Sequence, residues 1–343
     1  MAFCLITSGI GTETRLALRF AGQWLRGQQT FTLQTSGSTG TPKKLTFTRE
    51  QMIASARATG QALGYNPGET TLLCLNAAFV GGIMVLVRGL VYGFKVVVAE
   101  PSSHPLQGLP FSFHIDHISL APIQLAHITQ MDLAQVLQQA KTVLVGGAAL
   151  HPGLAAQLAQ VHPCAIYQTF GMTETLSHFA LRRLNGPNPE EAYTPLPGVT
   201  IGQNEDGCLW VDTPVAGHRL QTNDLVEIIG NQFRFLGRAD AVINSGGIKI
   251  HPEIVEQWVS IHLTSTASAL IELPDNVLGT RAELIIESQP LRADELEKLE
   301  SELRRQFTPY HTPKQIHFIE QLPRLASGKV DRLTLVQMFS SLA

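Results

Sequence analysis

The sequence contains little charge. Only 15% of its 343 residues are Asp, Glu, Lys or Arg, whereas 44% are apolar. An average soluble protein has about 25% charged residues, so this chain can bury a core and is not intrinsically disordered. Its 25 Lys and Arg residues are outnumbered by 28 Asp and Glu residues, and basic residues adjoin one another at most in pairs. We therefore expect no basic face and no nucleic-acid partner.

Long apolar runs and cysteine pairs are also absent from the sequence. The four cysteines form no CxxC pair, which indicates reduced, buried side chains rather than disulfides or a zinc site. The most apolar segment, residues 72–98, is interrupted by Asn76, Arg88 and Lys95, so no charge-free run of 18 residues can insert into a membrane. No positively charged segment precedes the apolar residues 3–6, as a secretion signal requires. We therefore expect a cytoplasmic protein.

The first half of the chain alternates between strand and helix patterns. A chain of 343 residues predicts about two domains at roughly 150 residues each. Thr48 followed by Gln51 is a capping-box signature that opens a helix, which we expect to end near Gly64. Residues 80–92 predict a second helix between two strand-like segments. This alternation predicts an α/β fold with a largely parallel sheet.

The second half of the chain has a different pattern. From Leu196 onward, short strands separated by turns, one of them at Asn223–Asp224, predict a β-rich subdomain. After Asp240, a helix, two apolar strands and an amphipathic helix predict a small α+β domain. We therefore divide the chain into an N-terminal domain, residues 1–238, and a C-terminal domain, residues 239–343.

Residues 35–44 form the densest cluster of glycine and small hydroxyl residues, TSGSTGTPKK. Backbone N–H groups, hydroxyls and a lysine can surround phosphate oxygens and neutralise their charge. This segment is not a Walker A loop, because Lys43 and Lys44 lead into a predicted strand instead of a helix. Taken alone, it could equally be an ordinary flexible connector.

The loop resembles the phosphate loop of the adenylate-forming superfamily, which comprises acyl-CoA ligases, luciferases and peptide-synthetase adenylation domains. Further segments resemble that superfamily's motifs in the same order. They are residues 167–174 (YQTFGMTE), 222–224 (TND), 235–240 (FLGRAD), 245–247 (SGG) and 322–329 (LPRLASGK). The resemblance implies that a carboxylate attacks the α-phosphate of ATP, pyrophosphate leaves, and a thiol, such as that of CoA, then displaces AMP.

The resemblance also implies how the nucleotide binds. The residues implied to hold ATP phosphates are Ser36, Gly37, Ser38, Thr39, Gly40 and Lys43. Thr173 is implied to contact the α-phosphate, and Glu174 to hold Mg²⁺. Asp224 and Arg238 match the positions that bind the ribose hydroxyls. The remaining nucleotide or acyl contacts implied are Gly146, Gly147, Ala148, Phe170 and Gly171. The alternative for residues 146–148 is a plain turn at the end of a strand.

Two chemical steps are implied for the small, mobile C-terminal domain. Lys329 is implied to bridge the substrate carboxylate and the α-phosphate, where negative charge accumulates. The domain is then implied to rotate about a hinge near Asp240. This rotation would bring Ser245, Gly246 and Gly247 beside the pantetheine arm of CoA.

The sequence departs from the superfamily pattern at three places. Asn223 stands where the motif usually has glycine, and asparagine tolerates positive φ, so we expect the turn to be kept. Lys44 replaces the glycine that often follows the loop lysine. The N-terminus is also shortened, because only 34 residues precede the phosphate loop. Short members share this trimming by resemblance, so we expect the chain to be complete.

Residues 80–88, 100–106 and 171–182 resemble the short 2-succinylbenzoate-CoA ligases of menaquinone and phylloquinone synthesis. Their substrate is a dicarboxylate, and its second carboxylate requires a cationic or hydrogen-bonding partner. The candidates are Arg88, Ser177, His178 and Arg182. His178 could equally be a packed core histidine, and both arginines could be structural.

Three other functions are compatible with the sequence. They are a ligase for another carboxylic acid, an adenylation enzyme that loads a carrier protein, and a regulator without turnover. A monomer and a homodimer are both compatible with the sequence.

Overall fold

The computed structural model describes most of the chain, including nearly all elements that the sequence predicts. The described residues are 3–7, 9, 11–34, 44–107, 114–130, 137, 139–147, 150, 152–158, 164–263, 267–307, 311–325 and 330–340.

An eight-stranded sheet forms the centre of the N-terminal part. Its strands, in chain order, are β1 (Cys4–Thr7), β4 (Thr70–Leu73), β5 (Lys95–Val98), β6 (His117–Leu120), β7 (Thr142–Val145), β8 (Ala165–Met172), β9 (Ser177–Arg183) and β10 (Thr194–Pro195). Their spatial order is β1-β5-β4-β6-β7-β8-β9-β10. The first six in that order are parallel, and β9 and β10 are antiparallel additions. The predicted parallel α/β sheet is confirmed.

Helices cover both faces of this sheet, so its central strands are apolar on both sides. The helices are α1 (Thr12–Leu25), α2 (Arg49–Leu63), α3 (Val80–Tyr92), α4 (Pro122–Gln130) and α5 (Pro152–Leu158). Strand β5 shows the division: Val96 and Val98 pack in the cluster that includes α1 to α3, and Val97 packs in the cluster that includes α4 and α5. Helix α2 begins after the predicted capping box at Thr48 and ends at Gly64, which has a φ of 67°.

The first 34 residues contribute elements that the sequence analysis did not assign. Strand β1 lies at the edge of the large sheet, parallel to β5. Helix α1 packs through Phe20 and Trp24 against Phe31 of a two-stranded hairpin, with ring centroids 5.0 and 5.6 Å from Phe31. That hairpin consists of β2 (Thr30–Gln34) and β3 (Lys44–Thr48).

A four-stranded antiparallel sheet forms the predicted β-rich subdomain. Its strands are β11 (Thr200–Gln203), β12 (Cys208–Asp212), β13 (Leu220–Ile229) and β14 (Gln232–Arg238). The predicted turn at Asn223–Asp224 is wrong, because both residues lie inside β13. Asn223 does not have a positive φ. The register with β12 shifts between Gln221 and Leu225, and the register with β14 shifts between Leu225 and Val226, so Asn223 lies at an irregular part of β13. The pairing of the flanking residues thus overrides the local turn preference.

The remaining elements form an α+β unit with its own core. They are β15 (Ile243–Ser245), β16 (Ile248–Ile250), α6 (Pro252–His262), β17 (Ser268–Asp275), β18 (Gly279–Glu287), α7 (Ala293–Gln306), β19 (Gln315–Ile319) and α8 (Arg332–Ser340). Alternate residues of β18 face opposite clusters: Leu284 packs with Leu303 of α7, and Ile285 packs with Leu335 of α8. In the parts of the chain described above, no helix has the length and apolarity needed to cross a bilayer.

Candidate active site

The predicted motifs follow two adjacent parallel strands at the same sheet edge. Gly146 and Gly147 come directly after β7, and Thr173 and Glu174 come directly after β8. The carboxyl ends of neighbouring parallel strands form a shared crevice, which is where open α/β sheets bind ligands. The fold therefore brings these two motifs together.

Gly146 lies where a side chain cannot fit. A Cβ atom built on it would be 2.1 Å from Oγ1 of Thr169, on the neighbouring strand. Gly147 has a φ of 90°, a conformation that favours glycine. The two glycines therefore leave backbone exposed at the strand end, as close approach of a ligand requires.

The turn after β8 is held by the side chain of Thr175. Residues Thr173–Thr175 form a short 3-10 turn, in which the Met172 N–H donates to Thr175 Oγ1 at 3.1 Å. Leu176 and Ser177 follow with φ values of 51° and 90°, and they are the non-glycine residues with positive φ among those described. Such strained backbone is common at ligand sites. Thr173 and Glu174 are thus presented on a tightly constrained turn.

Gly171 allows this turn to lie against the start of β9. A Cβ on Gly171 would be 2.1 Å from the carbonyl oxygen of Ser177. Phe170 precedes it, and its ring contacts the rings of Phe179, Tyr193, Phe233 and Phe235 at centroid distances of 5.1 to 5.7 Å. This aromatic cluster joins the end of β8 to the four-stranded sheet.

That sheet carries the two residues predicted to bind ribose. Asp224 of β13 and Arg238 of β14 are directly opposite in the antiparallel register. Nη1 of Arg238 lies 3.1 Å from Oδ1 of Asp224. Arg238 also donates from Nε and Nη2 to Asp240, at 2.8 and 2.7 Å. This bidentate bond raises the pKa of Arg238 and lowers the pKa of Asp240.

Arg88 is the most buried of the four predicted substrate residues. It lies on α3 and is 6% exposed. Its Nη2 donates to Oγ of Ser119 at 3.3 Å. None of the ion pairs found among the described residues involves Arg88. Burial lowers the pKa of its guanidinium, but an arginine stays protonated.

His178 is buried between β9 and α2. Its Nε2 lies 3.0 Å from Oγ1 of Thr59, and its Nδ1 lies 3.1 Å from Oγ of Ser177. Burial, followed by the nearby positive charge of Arg88, lowers the pKa of His178 to about 3, so the ring is neutral near pH 7. Thr59 and Ser119 carry no signal in the sequence, because each is an ordinary hydroxyl residue far along the chain from its partner.

Arg182 has a different environment from Arg88. Its side chain donates to Oε1 of Gln168, on the adjacent strand, and lies 5.2 Å above the ring of Tyr193. The register places Arg182 opposite Gln168, four residues before Met172 at the end of β8. Its described contacts therefore hold β8 and β9 together.

Ser245, Gly246 and Gly247 belong to the hairpin between β15 and β16. Both glycines have positive φ, 59° and 86°, as a two-residue hairpin turn requires. The Gly246 N–H donates to the carbonyl of Leu278 at 3.0 Å. The turn is exposed, whereas Ser245 is buried.

Several predicted residues lie outside the described part of the chain. They are Ser36, Gly37, Ser38, Thr39, Gly40, Lys43, Ala148 and Lys329. The residues that flank two of these segments are paired: Gln34 with Lys44, and Arg324 with Val330.

Comparison with known proteins defines the class. The family described as AMP-binding enzyme matches residues 23–206, more than half of the chain. The chain therefore belongs to the AMP-binding enzyme family, and it is an AMP-forming ligase.

The chain is similar to three known proteins over most of its length. The crystal structure of an acyl-CoA synthetase (AMP-forming)/AMP-acid ligase II-like protein from Dyadobacter fermentans DSM 18053 is 40% identical, with a TM-score of 0.65, and the match covers 97% of this chain and 96% of that one. The probable 2-succinylbenzoate-CoA ligase of Mycobacterium tuberculosis (strain H37Rv) is 28% identical over an alignment 350 residues long, gaps included. The alignment covers 96% of this chain and 89% of that protein. O-succinylbenzoate Coenzyme A synthetase (MenE) from Bacillus subtilis, in complex with ATP and magnesium ion, shares the fold with a TM-score of 0.74 at 23% identity, covering 89% of this chain and 69% of that one.

Proposed function

We propose that the protein is a 2-succinylbenzoate-CoA ligase. It adenylates one carboxylate of this dicarboxylic acid with ATP and then transfers the acyl group to CoA, a reaction of menaquinone and phylloquinone synthesis. The observation that carries the choice of substrate is the buried cation of Arg88. The names of the relatives support the same choice.

A buried cation without a carboxylate partner is costly. Moving a charge out of water has a penalty of several kcal/mol unless an opposite charge and hydrogen bonds compensate for it. Arg88 has the hydroxyl of Ser119 as its described hydrogen-bond partner, and His178 beside it is neutral. A ligand carboxylate would complete this site by forming a charge-assisted bidentate bond. Arg88 is therefore our candidate for binding the carboxylate that is not activated, in preference to Arg182.

Adenylation requires positive charge around the triphosphate. We propose that Ser36, Gly37, Ser38, Thr39, Gly40 and Lys43 bind the β- and γ-phosphates. Thr173 would contact the α-phosphate, and Lys329 would bridge it to the attacking carboxylate. Asp224 and Arg238 would bind the ribose hydroxyls.

Glu174 would hold Mg²⁺. A single carboxylate suits Mg²⁺, which commonly binds through one or two carboxylates together with substrate phosphates. When bound, the ion neutralises the charge of the leaving pyrophosphate.

Thioester formation needs a different set of groups beside the adenylate. We propose that residues 239–343 rotate about Asp240 after adenylation. The exposed Gly246–Gly247 turn would then lie along the pantetheine arm of CoA, where the absence of side chains leaves room for it. Lys329 would leave the site in the same movement.

The test is formation of an ATP-dependent CoA thioester with a panel of acids. We expect the highest kcat/KM with 2-succinylbenzoate, and a higher value with benzoate or a fatty acid would refute this choice of substrate. Acid-dependent pyrophosphate exchange identifies an enzyme, and its absence would indicate a regulator without turnover. Transfer to a carrier protein but not to free CoA would indicate an adenylation enzyme that loads such a protein.

A further inference from the structure

The carboxylate of Asp240 has hydrogen-bond donors from two adjacent strands. Arg238 at the end of β14 donates to both of its oxygens. Asn223 of β13 donates from Nδ2 to Oδ2 of Asp240 at 3.2 Å. Asp240 lies in a short 3-10 turn, Ala239–Ala241, which leads into β15. The amide of Asn223 therefore joins the four-stranded sheet to the segment that leads into the C-terminal unit.

The side chain of Asn223 is available for this bond because of its position in β13. It directly precedes Asp224, which pairs with Arg238. The related motifs usually have glycine here, and glycine has no side-chain donor. The bond is thus a consequence of the Asn223 departure noted in the sequence.

Arg238 donates hydrogen bonds to more than one acceptor. It contacts Asp224 as well as Asp240, and in the proposed function it also binds the ribose. Arg238 bonds to Asp224 through Nη1 and to Asp240 through Nε and Nη2, so a nucleotide oxygen that takes either of the last two donors in exchange for Asp240 would weaken the Arg238–Asp240 bond. The donor of Asn223 does not depend on that exchange, so it can still hold Asp240.

We propose that Asn223 is a positioning residue that holds the hinge carboxylate of Asp240 against β13 and so biases the orientation of the C-terminal domain. This inference rests on the proposed function, in which Asp240 is the hinge. Both side chains are exposed, so the bias is small, about threefold in the equilibrium between two domain orientations. Because one orientation serves adenylation and the other serves thioester formation, a bias toward either one has opposite effects on the two half-reactions.

The first test needs no substrate. The pKa of the Asp240 carboxyl is lowered by Arg238 first and by Asn223 second among its hydrogen-bonding side chains. An NMR titration of that carboxyl should therefore give a higher pKa in Asn223→Ala than in the wild type. The matched control is Glu227→Ala, which removes another exposed side chain of β13, one that pairs with Arg234 and not with Asp240. An unchanged Asp240 pKa in Asn223→Ala would overturn the proposed contact.

The second test compares the half-reactions. We measure pyrophosphate exchange, and separately the conversion of synthetic acyl-adenylate and CoA to thioester. Asn223→Ala should change their ratio about threefold, with one rate rising as the other falls, and Glu227→Ala should leave the ratio unchanged. Asn223→Asp should shift the ratio in the same direction and further, because two carboxylates repel each other.

A double-mutant cycle shows whether Asn223 acts through Asp240. In an Asp240→Ala background, Asn223→Ala should have no further effect on the ratio. An effect that persists there, or an equal fall of both half-reactions, would overturn the positioning role. If the wild-type protein forms no adenylate, the proposed function fails, and the NMR titration still decides whether Asn223 holds Asp240.

Discussion

Replacing Arg88 with methionine tests the acyl site most directly. Methionine has a similar length without the charge, so Arg88→Met removes the buried cation and its bond to Ser119. In the proposed complex, this change leaves the second carboxylate of the substrate buried without its cationic partner. Such a loss costs about 3 to 4 kcal/mol, or roughly 10²- to 10³-fold in kcat/KM.

The effect of Arg88→Met should depend on the substrate. For an analogue in which the carboxylate that is not activated is replaced by a methyl group, kcat/KM should fall less than about threefold, since that analogue has no charge to pair with Arg88. The free protein should be as stable as the wild type or more stable, because an uncompensated buried charge has been removed. The assays are CoA-thioester formation with both acids and thermal unfolding without ligand.

Arg182→Met is the matched control. Its contacts with Gln168 and Tyr193 hold two strands together, so this change should lower stability without changing the preference for the dicarboxylate. An equal loss of activity with both acids in Arg88→Met, together with a lower melting temperature, would refute the role of Arg88 in substrate binding. Arg88 would then be a structural residue of the core.

Three further predictions concern other parts of the molecule. Lys329→Ala should slow adenylation by about 10²- to 10³-fold, while synthetic acyl-adenylate and CoA should still give thioester within about tenfold of the wild-type rate; an equal fall of both steps would contradict the alternating-domain mechanism. Gly246→Leu should block thioester formation and largely spare pyrophosphate exchange, and an equal loss of both would contradict the proposed contact with pantetheine. Burial raises the pKa of Glu69, but hydrogen bonds from the Asn66 N–H, His117 and Lys141 outweigh it and lower the pKa from 4.5 to about 2. Its ionised form therefore stabilises the fold above pH 4.5, and this stabilisation is lost as the pH falls toward 2. Glu69→Gln should flatten the acid limb of the stability curve over that interval, as measured by denaturant unfolding, and an unchanged limb would contradict this contribution.

Features that depend on neighbours in the chain could be predicted from the sequence. Helix α2 begins after Thr48 and ends at Gly64 as expected, because a capping box and a left-handed glycine are formed by residues within one helical turn. Helix α3 is confirmed over the predicted residues 80–92, and it ends at Gly93, which has a φ of 66°. The motifs at the ends of β7 and β8 could also be placed together, since carboxyl ends of adjacent parallel strands share one edge.

Features that depend on distant partners required the tertiary structure. Asn223 prefers turns locally, yet it lies within β13, between Gln221, which pairs with Trp210, and Asp224, which pairs with Arg238, and its amide donates to Asp240. Arg88 and Arg182 are equivalent candidates in the sequence. The fold distinguishes them, because Arg88 is buried beside a neutral histidine, whereas Arg182 is hydrogen-bonded to Gln168 on the adjacent strand. The physical reason is that burial and ion pairing are set by groups far away along the chain, whose approach no local pattern records.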